Sequence, residues 1–300
     1  MNKKNTSGNT IKIAVLKGPS AISVVKLMKS DDRFEIIMKN EPAQVKALIL
    51  KEDVDIAMVP VTLGSVLYNR GVKYKLAAVP VWGTLYLFGT DTSVHAWNNL
   101  KGKRVYMMAR GMTPDVIFRY LLEENGLVPG EDVIIDYSFP GHIELTNSIA
   151  GGKTGMGVVS EPLVSLAMHK NNDVEILIDL NKAYRQLEKT HENLPMTALL
   201  VNESTYGQKR EYIEAALKAI QQSAAWVNDS VAEAAKLVVE QEILPDIHVA
   251  KESIPRCNIR YIPAVEAKLP VNNFYSLLFR YDPALIGGAM PGDEFYMAFE

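Results

Sequence analysis

The stretch Ile11–Ser20, IKIAVLKGPS, decides the fold. Its first six residues form a short, β-branched apolar run, and Lys17-Gly18-Pro19-Ser20 stops it with residues that favour a turn and a helix start. Ile22, Val25 and Met28 then fall on one helical face. The same grammar returns twice. FEIIM, residues 34–38, reads as a second strand, and Pro42 opens a helix bearing Val45, Leu48 and Ile49, at a position where its missing N–H costs nothing. DIAMV, residues 55–59, reads as a third strand, followed by Pro60-Val61-Thr62 and a helix through Val66 and Leu67. Residues 75–79 and 82–88 read as further strands. This β-α-β-α-β alternation predicts an α/β fold with a parallel sheet covered by helices on both faces.

After Gly89 the pattern restarts. Residues 104–108 read as a strand ending in Ala109-Arg110-Gly111-Met112-Thr113-Pro114, with a helix from Asp115 to about Asn125 closed by Gly126. Strands are expected at 133–137, 155–159 and 174–180, and helices from His142 to Ala150 and from Ser160-Glu161-Pro162 through Met168. Residues 181–193 read as a polar excursion before a strand at 196–201. Beyond Asn202 the chain turns helical: Ile213, Leu217, Ile220, Ala224 and Val227 form one apolar stripe. Ser230-Val231-Ala232-Glu233 has the spacing of a capping box. Pro263 and residues 272–281 suggest two more helices before Gly287-Gly288. No low-complexity tract and no repeat of 20 to 50 residues occurs.

At 300 residues the chain is about twice the commonest domain size. The second α/β run lies inside the first in sequence terms. Residues 11–88 with 198–300 are therefore expected to form one lobe and 89–197 the other, with residues 1–10 a flexible N-terminal segment. Two chain crossings make a hinge, and a hinge between two α/β lobes makes a cleft.

Composition narrows the function. Lys plus Arg is 32 against Asp plus Glu at 35, a formal net charge of −3, and no basic stripe is present, so a nucleic-acid partner is not expected. One cysteine, Cys257, excludes an intrachain disulfide and any Cys-based zinc or iron–sulfur site. No window of 18 apolar residues exists. The first ten residues, MNKKNTSGNT, lack the apolar core of an export signal. Either the protein is cytosolic, or a signal has been removed and Met1 replaces the first mature residue. The stretch also suits a tether from a lipid-anchored N-terminus.

Candidate binding residues lie where a strand meets a helix: Lys17-Gly18-Pro19-Ser20, Pro60-Val61-Thr62, Gly111-Met112-Thr113-Pro114 and Ser160-Glu161-Pro162. The carboxyl ends of parallel strands form the ligand crevice of α/β sheets. Helix starts add unpaired N–H groups and partial positive charge suited to a carboxylate, sulfonate or phosphate. Ser20, Thr62, Thr113 and Ser160 would equally serve as plain helix caps. Arg110 offers an anion clamp or a surface ion pair. Trp82 offers a flat apolar face beside the cleft or a place in a lobe core. Glu161 would accept from a ligand amine or serve the first turn of its own helix.

Catalytic constellations are poor. The histidines, His95, His142, His169, His191 and His248, show no zinc spacing, and only His142 is placed near the cleft. There is no G-x-S-x-G elbow, Walker loop or G-x-G-x-x-G. Met107, Met108 and Met290 read as core or loop residues.

Four segments carry a family resemblance: Asp55-Ile56-Ala57-Met58-Val59-Pro60, Asn99-Leu100-Lys101-Gly102-Lys103-Arg104-Val105, Ser160-Glu161-Pro162, and Tyr281-Asp282-Pro283-Ala284-Leu285-Ile286-Gly287-Gly288. In their order and spacing, from about Ile11 to Phe299, the chain resembles the type 2 periplasmic binding fold. Within it, the chain resembles the nitrate/sulfonate/taurine and thiamin-pyrimidine-precursor group of ABC-transporter substrate-binding proteins. The resemblance implies two lobes that close on a ligand, contacts at Gly18, Pro19, Ser20, Pro60, Val61, Thr62, Trp82, Gly83, Thr84, Gly111, Met112, Thr113, Ser160 and Glu161, and no cofactor. It also implies a membrane permease as partner, a monomeric chain and a periplasmic or extracytoplasmic location. The absent signal departs from that pattern. Two enzymes share the fold. The eukaryotic pyrimidine synthase of thiamin biosynthesis has a cysteine-rich iron motif, against which one cysteine argues. The chorismate dehydratase of the menaquinone route is cytosolic and of similar size. A ligand sensor without transport is a third class.

Overall fold

A computed structural model of the chain describes residues 10–30, 32–108 and 110–298. The expected flexible segment, apart from Thr10, lies outside the described residues. The chain divides into two units, Met1–Trp82 with Pro195–Glu300, and Gly83–Leu194. The junctions are thus 82/83 and 194/195 rather than 88/89 and 197/198.

Unit 1 opens with β1 (Ile11–Leu16), α1 (Pro19–Ser23), α2 (Val25–Ser30), β2 (Phe34–Lys39), α3 (Pro42–Leu50), β3 (Ile56–Pro60), α4 (Val61–Asn69) and β4 (Tyr74–Trp82). Unit 2 holds β5 (Leu85–Gly89), β6 (Arg104–Tyr106), α5 (Thr113–Glu124), β7 (Ile134–Asp136), α6 (His142–Ala150), β8 (Met156–Ser160), α7 (Leu163–Lys170), β9 (Glu175–Asp179) and α8 (Leu180–Glu188). The chain then returns to unit 1 through β10 (Pro195–Asn202), α9 (Glu203–Gln208), α10 (Arg210–Asp229), α11 (Val231–Glu240), α12 (Ile247–Arg256), β11 (Ile259–Pro263) and α13 (Ala264–Tyr281).

The sheet of unit 1 runs β11-β4-β10-β3-β1-β2. β2, β1 and β3 are parallel, whereas β10 runs antiparallel to both β3 and β4, and β11 antiparallel to β4. The expected parallel sheet is therefore mixed, because both strands made after the return run backwards. Inner strands such as β3 and β4 are buried almost throughout, which is why they read as continuous apolar runs. β4 extends to Trp82, and the following break falls at Gly83-Thr84 rather than before Trp82. Pro80 has no N–H for a central strand, and both ladders shift register around it, pairing Val81 and Ala78 with β10 and Val81 and Val79 with β11.

The sheet of unit 2 runs β7-β6-β8-β5-β9. β5 is antiparallel to β8 and β9, so β6, β7, β8 and β9 all point the same way. One face packs Tyr86, Phe88 and Val159 against Leu145 and Ile149 of α6 and Val164 and Ala167 of α7. At about 25 cal/mol per Å² of apolar surface removed from water, such burial is the main force holding the helices to the sheet.

Several local expectations are corrected. The helix through Ile22 and Met28 breaks at Val24, where Ser23 Oγ donates to the Ser20 carbonyl and competes with the helical ladder. The polar excursion contains helix α8, capped by Asp179 and burying Leu180, Asn181 and Tyr184. Ser230 forms no capping box. Its N–H is already bonded to the Trp226 carbonyl at the end of α10, so Glu233 has no donor to satisfy there. The segment after Arg256 is a strand and one helix rather than two helices. Pro263 ends β11, and the α13 face of Ala267, Val271, Phe274 and Leu278 is buried continuously across Pro270, so packing overrides the lost hydrogen bond.

Candidate functional site

In unit 1, β1 and β3 end side by side and present residues 18–20 and 60–62. Gly18 has φ 115°, a conformation glycine accepts without strain, and this turns the chain into α1. Ser20 is buried, and its hydroxyl shares a 3.4 Å hydrogen bond with Thr197 of β10. α4 is fixed at its start by Tyr275 of α13, whose hydroxyl donates to the Val61 carbonyl at 2.8 Å. It is fixed at its end by Ser65 and Asn69, both donating to the Ile286 carbonyl at 2.7 Å. The segment Tyr281–Gly288, singled out in the sequence, thus anchors the helix behind Thr62. Pro19, Pro60 and Thr62 keep partial exposure, whereas Val61 is buried. Trp82 is fully buried, its indole N–H held by the Val79 and Arg260 carbonyls at 3.0 and 2.9 Å. It is a core residue with no surface to offer.

In unit 2 the corresponding loops follow β6 and β8. Asp115, only 1% exposed, organises the first. Its carboxylate accepts from the Gly111 N–H at 2.8 Å, from Arg119 Nε at 2.9 Å and from the Tyr137 hydroxyl at 2.5 Å. Burial and the hydrogen bond to Asp115 push the Tyr137 phenol up to about 12. Gly111, at φ 76°, lets the loop turn so that this N–H reaches the carboxylate. Arg110 is exposed and stacks on Tyr137, 5.6 Å from the ring centroid. Met112 is exposed, Thr113 half-buried, and the helix begins at Thr113 with Met112 as its cap.

Beyond β8, Ser160 is half-buried and pairs across the ladder with Leu85. Glu161 is buried and serves its own helix. Its carboxylate accepts from the Ser165 N–H at 3.1 Å and the Ser165 hydroxyl at 2.8 Å, while its N–H donates to the Thr84 carbonyl. Thr84 is buried. Gly83 has φ 36°, and a Cβ there would stand 2.0 Å from Asn181 Cγ. The Asn181 carbonyl oxygen accepts from the Leu194 N–H at 2.9 Å, and the Gly83 N–H donates to the Leu194 carbonyl at 2.7 Å. Ser20, Thr62, Thr113 and Ser160 do not act as helix caps, since Gly18, Pro60, Met112 and Pro162 hold those positions.

Sequence reasoning missed Asp115, Tyr137, Arg119 and Asn181. The Asp115–Arg119 spacing of four on a helix was visible, as was the run Asp179, Leu180, Tyr184 that marks a capped amphipathic turn. Nothing in the sequence brings Tyr137 to Asp115. Among the described residues no group of three or more His, Cys, Asp and Glu side chains could hold a metal ion, and no helix is long and apolar enough to cross a membrane.

No protein-family model matches the chain, and no curated protein matches it. Solved structures do. An ABC transporter from Parabacteroides distasonis is 29% identical over 97% of this chain and 100% of its own, with a TM-score of 0.84. The periplasmic aliphatic sulphonate binding protein SsuA of Escherichia coli is 13% identical over 97% of this chain and 92% of its own, with a TM-score of 0.74. A Candida albicans gene product with the generic periplasmic binding protein structural fold is 14% identical over 95% and 92%, with a TM-score of 0.58. This chain has the periplasmic-binding-protein fold. The carboxyl ends of the strands, where the loops described above lie, are the ends at which open α/β sheets bind ligands.

Proposed function

We propose that this chain is the solute-binding component of an ABC importer, capturing a small polar or anionic organic molecule at the carboxyl ends of its parallel strands. The similarity to the Parabacteroides distasonis ABC transporter carries this reading, because it runs end to end at 29% identity. The sulphonate-binding neighbour supports an organic solute. The residues offered to the ligand are Pro19, Pro60 and Thr62 of unit 1, and Arg110, Met112, Thr113 and Ser160 of unit 2, each at least partly exposed. The buried Gly18, Ser20, Val61, Gly83, Thr84 and Glu161 shape these loops from behind. A membrane permease is the partner, the location extracytoplasmic, a lipid-anchored N-terminus the tether, and the binding chain a monomer.

Native mass spectrometry of protein purified without added ligand tests this, reading the bound small molecule and the oligomeric state together. A thermal-shift screen follows. A ligand at a hundred times its dissociation constant adds about 2.7 kcal/mol of stability. Incubation with chorismate supplies the contrary outcome: dehydrated product in the mass spectrum, formed at a steady rate, would replace the transport reading with an enzymatic one.

A further inference from the structure

β2, β11, β7 and β9 stand at the edges of the two sheets. An edge strand exposes a row of unpaired N–H and C=O groups, and proteins ordinarily blunt it with brevity, proline, bulges or charge. Three of these strands are blunted. β7 has three residues, β11 shifts register against β4 and ends on Pro263, and β9 shifts against β5 and begins and ends on Glu175 and Asp179. β2 lacks such protection. Its six residues, FEIIMK, pair with β1 without interruption, and Ile36, Ile37 and Met38 keep partial exposure.

The direction of its free groups follows from the ladder. The Ile11 N–H donates to the Arg33 carbonyl at 2.9 Å and the Lys17 N–H to the Lys39 carbonyl at 2.8 Å, so the odd-numbered residues of β2 bond towards β1. Successive residues of a strand alternate, and the N–H and C=O groups of Phe34, Ile36 and Met38 therefore face outward. Met28, Phe34, Ile36, Met38 and Gln241 line an open groove on one face of this edge. The other face carries Glu35, Ile37 and Lys39, and among the described residues no ion pair engages either charge.

We propose that the outer edge of β2 pairs with the same edge of a second copy of this chain, antiparallel and centred on Ile37. Outward-facing residues must meet at each hydrogen-bonded position, which sets Ile36 opposite the second copy's Met38, and Met38 opposite its Ile36. Glu35 then falls opposite Lys39, Ile37 opposite itself and Lys39 opposite Glu35, at the positions where side chains come closest. Each copy thus supplies the charge that the other lacks, twice. Sliding the pair to the next register in either direction opposes Arg33 to Lys39 or Glu35 to Glu41, like charges in both cases. The charges therefore select one register and one occupant. The contact is small, so the pairing is reversible: the dilute chain is the monomer of the transport reading, and pairs form where the chain is concentrated. The proposal stands independently of what the strand-end loops bind.

Sedimentation velocity of the full chain between about 5 μM and about 1 mM tests this. The wild type should move from the mass of one chain towards that of two, half-associated at roughly 0.1–1 mM. Glu35→Lys and Lys39→Glu each turn both ion pairs into like-charge pairs, and each should weaken association at least about tenfold. Mixed in equal amounts, the two single variants again set opposite charges against each other and should pair. The double variant Glu35→Lys, Lys39→Glu should pair with itself. Pairing regained on mixing shows that the single variants are folded. A wild type that keeps the mass of one chain at about 1 mM overturns the proposal, and so does a mixture that fails to pair. Association undiminished in both single variants overturns it too, and would belong to another face, such as that of the exposed Val265 and Leu269 on α13.

Discussion

In unit 1 the loops after β1 and β3 are held by hydroxyls and backbone groups, as where Ser20 meets Thr197 and Tyr275 donates to the Val61 carbonyl. In unit 2 the loop after β6 is held by a buried carboxylate that ties Gly111, Arg119 and Tyr137 together. Both units place their loops at the ends of parallel strands, so topology alone does not account for the difference. Position comes from the strand order, but polarity comes from which side chain happens to satisfy the free N–H groups at each helix start. A loop fastened by neutral hydrogen bonds tolerates substitution. One fastened by a buried charge does not, because removing either partner leaves the other desolvated and unmatched.

The contrast can be broken by substitution. The largest effect is expected at Gly83, where a side chain meets both an unfavourable φ of 36° and the amide of Asn181. Gly83→Ala should cost about 3 kcal/mol or more in urea unfolding. Adding Asn181→Ala should restore part of that loss by removing the clash, though it strips the Leu194 N–H of its acceptor. A loss below about 1 kcal/mol for the single variant would mean that the segment around Leu194 is free to shift.

Next comes Asp115→Ala, expected to cost about 2 kcal/mol, less than a fully buried pair because the Arg119 side chain is 26% exposed. Its counterpart in unit 1, Thr62→Ala, should stay within about 0.5 kcal/mol. Equal costs would dissolve the distinction between the two kinds of loop. Ser20→Ala should fall between them at about 1 kcal/mol, since it removes one neutral hydrogen bond from a buried position.

The smallest effect is in acid. Asp91, hydrogen-bonded by Lys103 and Ser93, and Asp136, hydrogen-bonded by Ser138 and Arg104, are held below the usual carboxylate range in unit 2, as is Asp132 beside Val128 and Lys101. Among the described residues of unit 1, the carboxylate lowered in this way is Glu214, beside Arg210. A depressed carboxylate stabilises the fold above its unfolded value of about 3.9 for aspartate and ceases to do so as pH falls through its lower folded value. Hydrogen exchange below about pH 4 should therefore show unit 2 loosening before unit 1. The reverse order would remove ion pairing as the difference between them.

The alternation of strand and helix in residues 11–62 made the α/β fold readable, because inner strands must be apolar on both faces and helix starts favour proline and small polar residues. The reversal of β10 and β11 was not readable, since a strand's residues do not encode its direction. Helix α8 was missed although Asp179, Leu180 and Tyr184 mark a capped turn, because its buried positions, Leu180, Asn181 and Tyr184, include an amide and a phenol and so read as polar. For the site, the strand-end segments were found by their turn residues. What the sequence did not separate was the accessible from the buried. Trp82 and Glu161 looked as suited to a ligand as Arg110, and only packing shows that their polar groups are already engaged.

β10 lies between β3 and β4, in the middle of the sheet of unit 1. On the ribosome this position imposes an order of events. β3 and β4 emerge first and must wait with their facing edges unpaired while all of unit 2 is made, on the order of ten seconds at ordinary translation speeds. Unit 2 is a continuous stretch of chain, so it can complete its own sheet before the strand that closes unit 1 has left the exit tunnel. The nascent chain therefore carries an open, apolar seam for as long as unit 2 is being made, and that seam is where a chaperone would have its longest opportunity to engage.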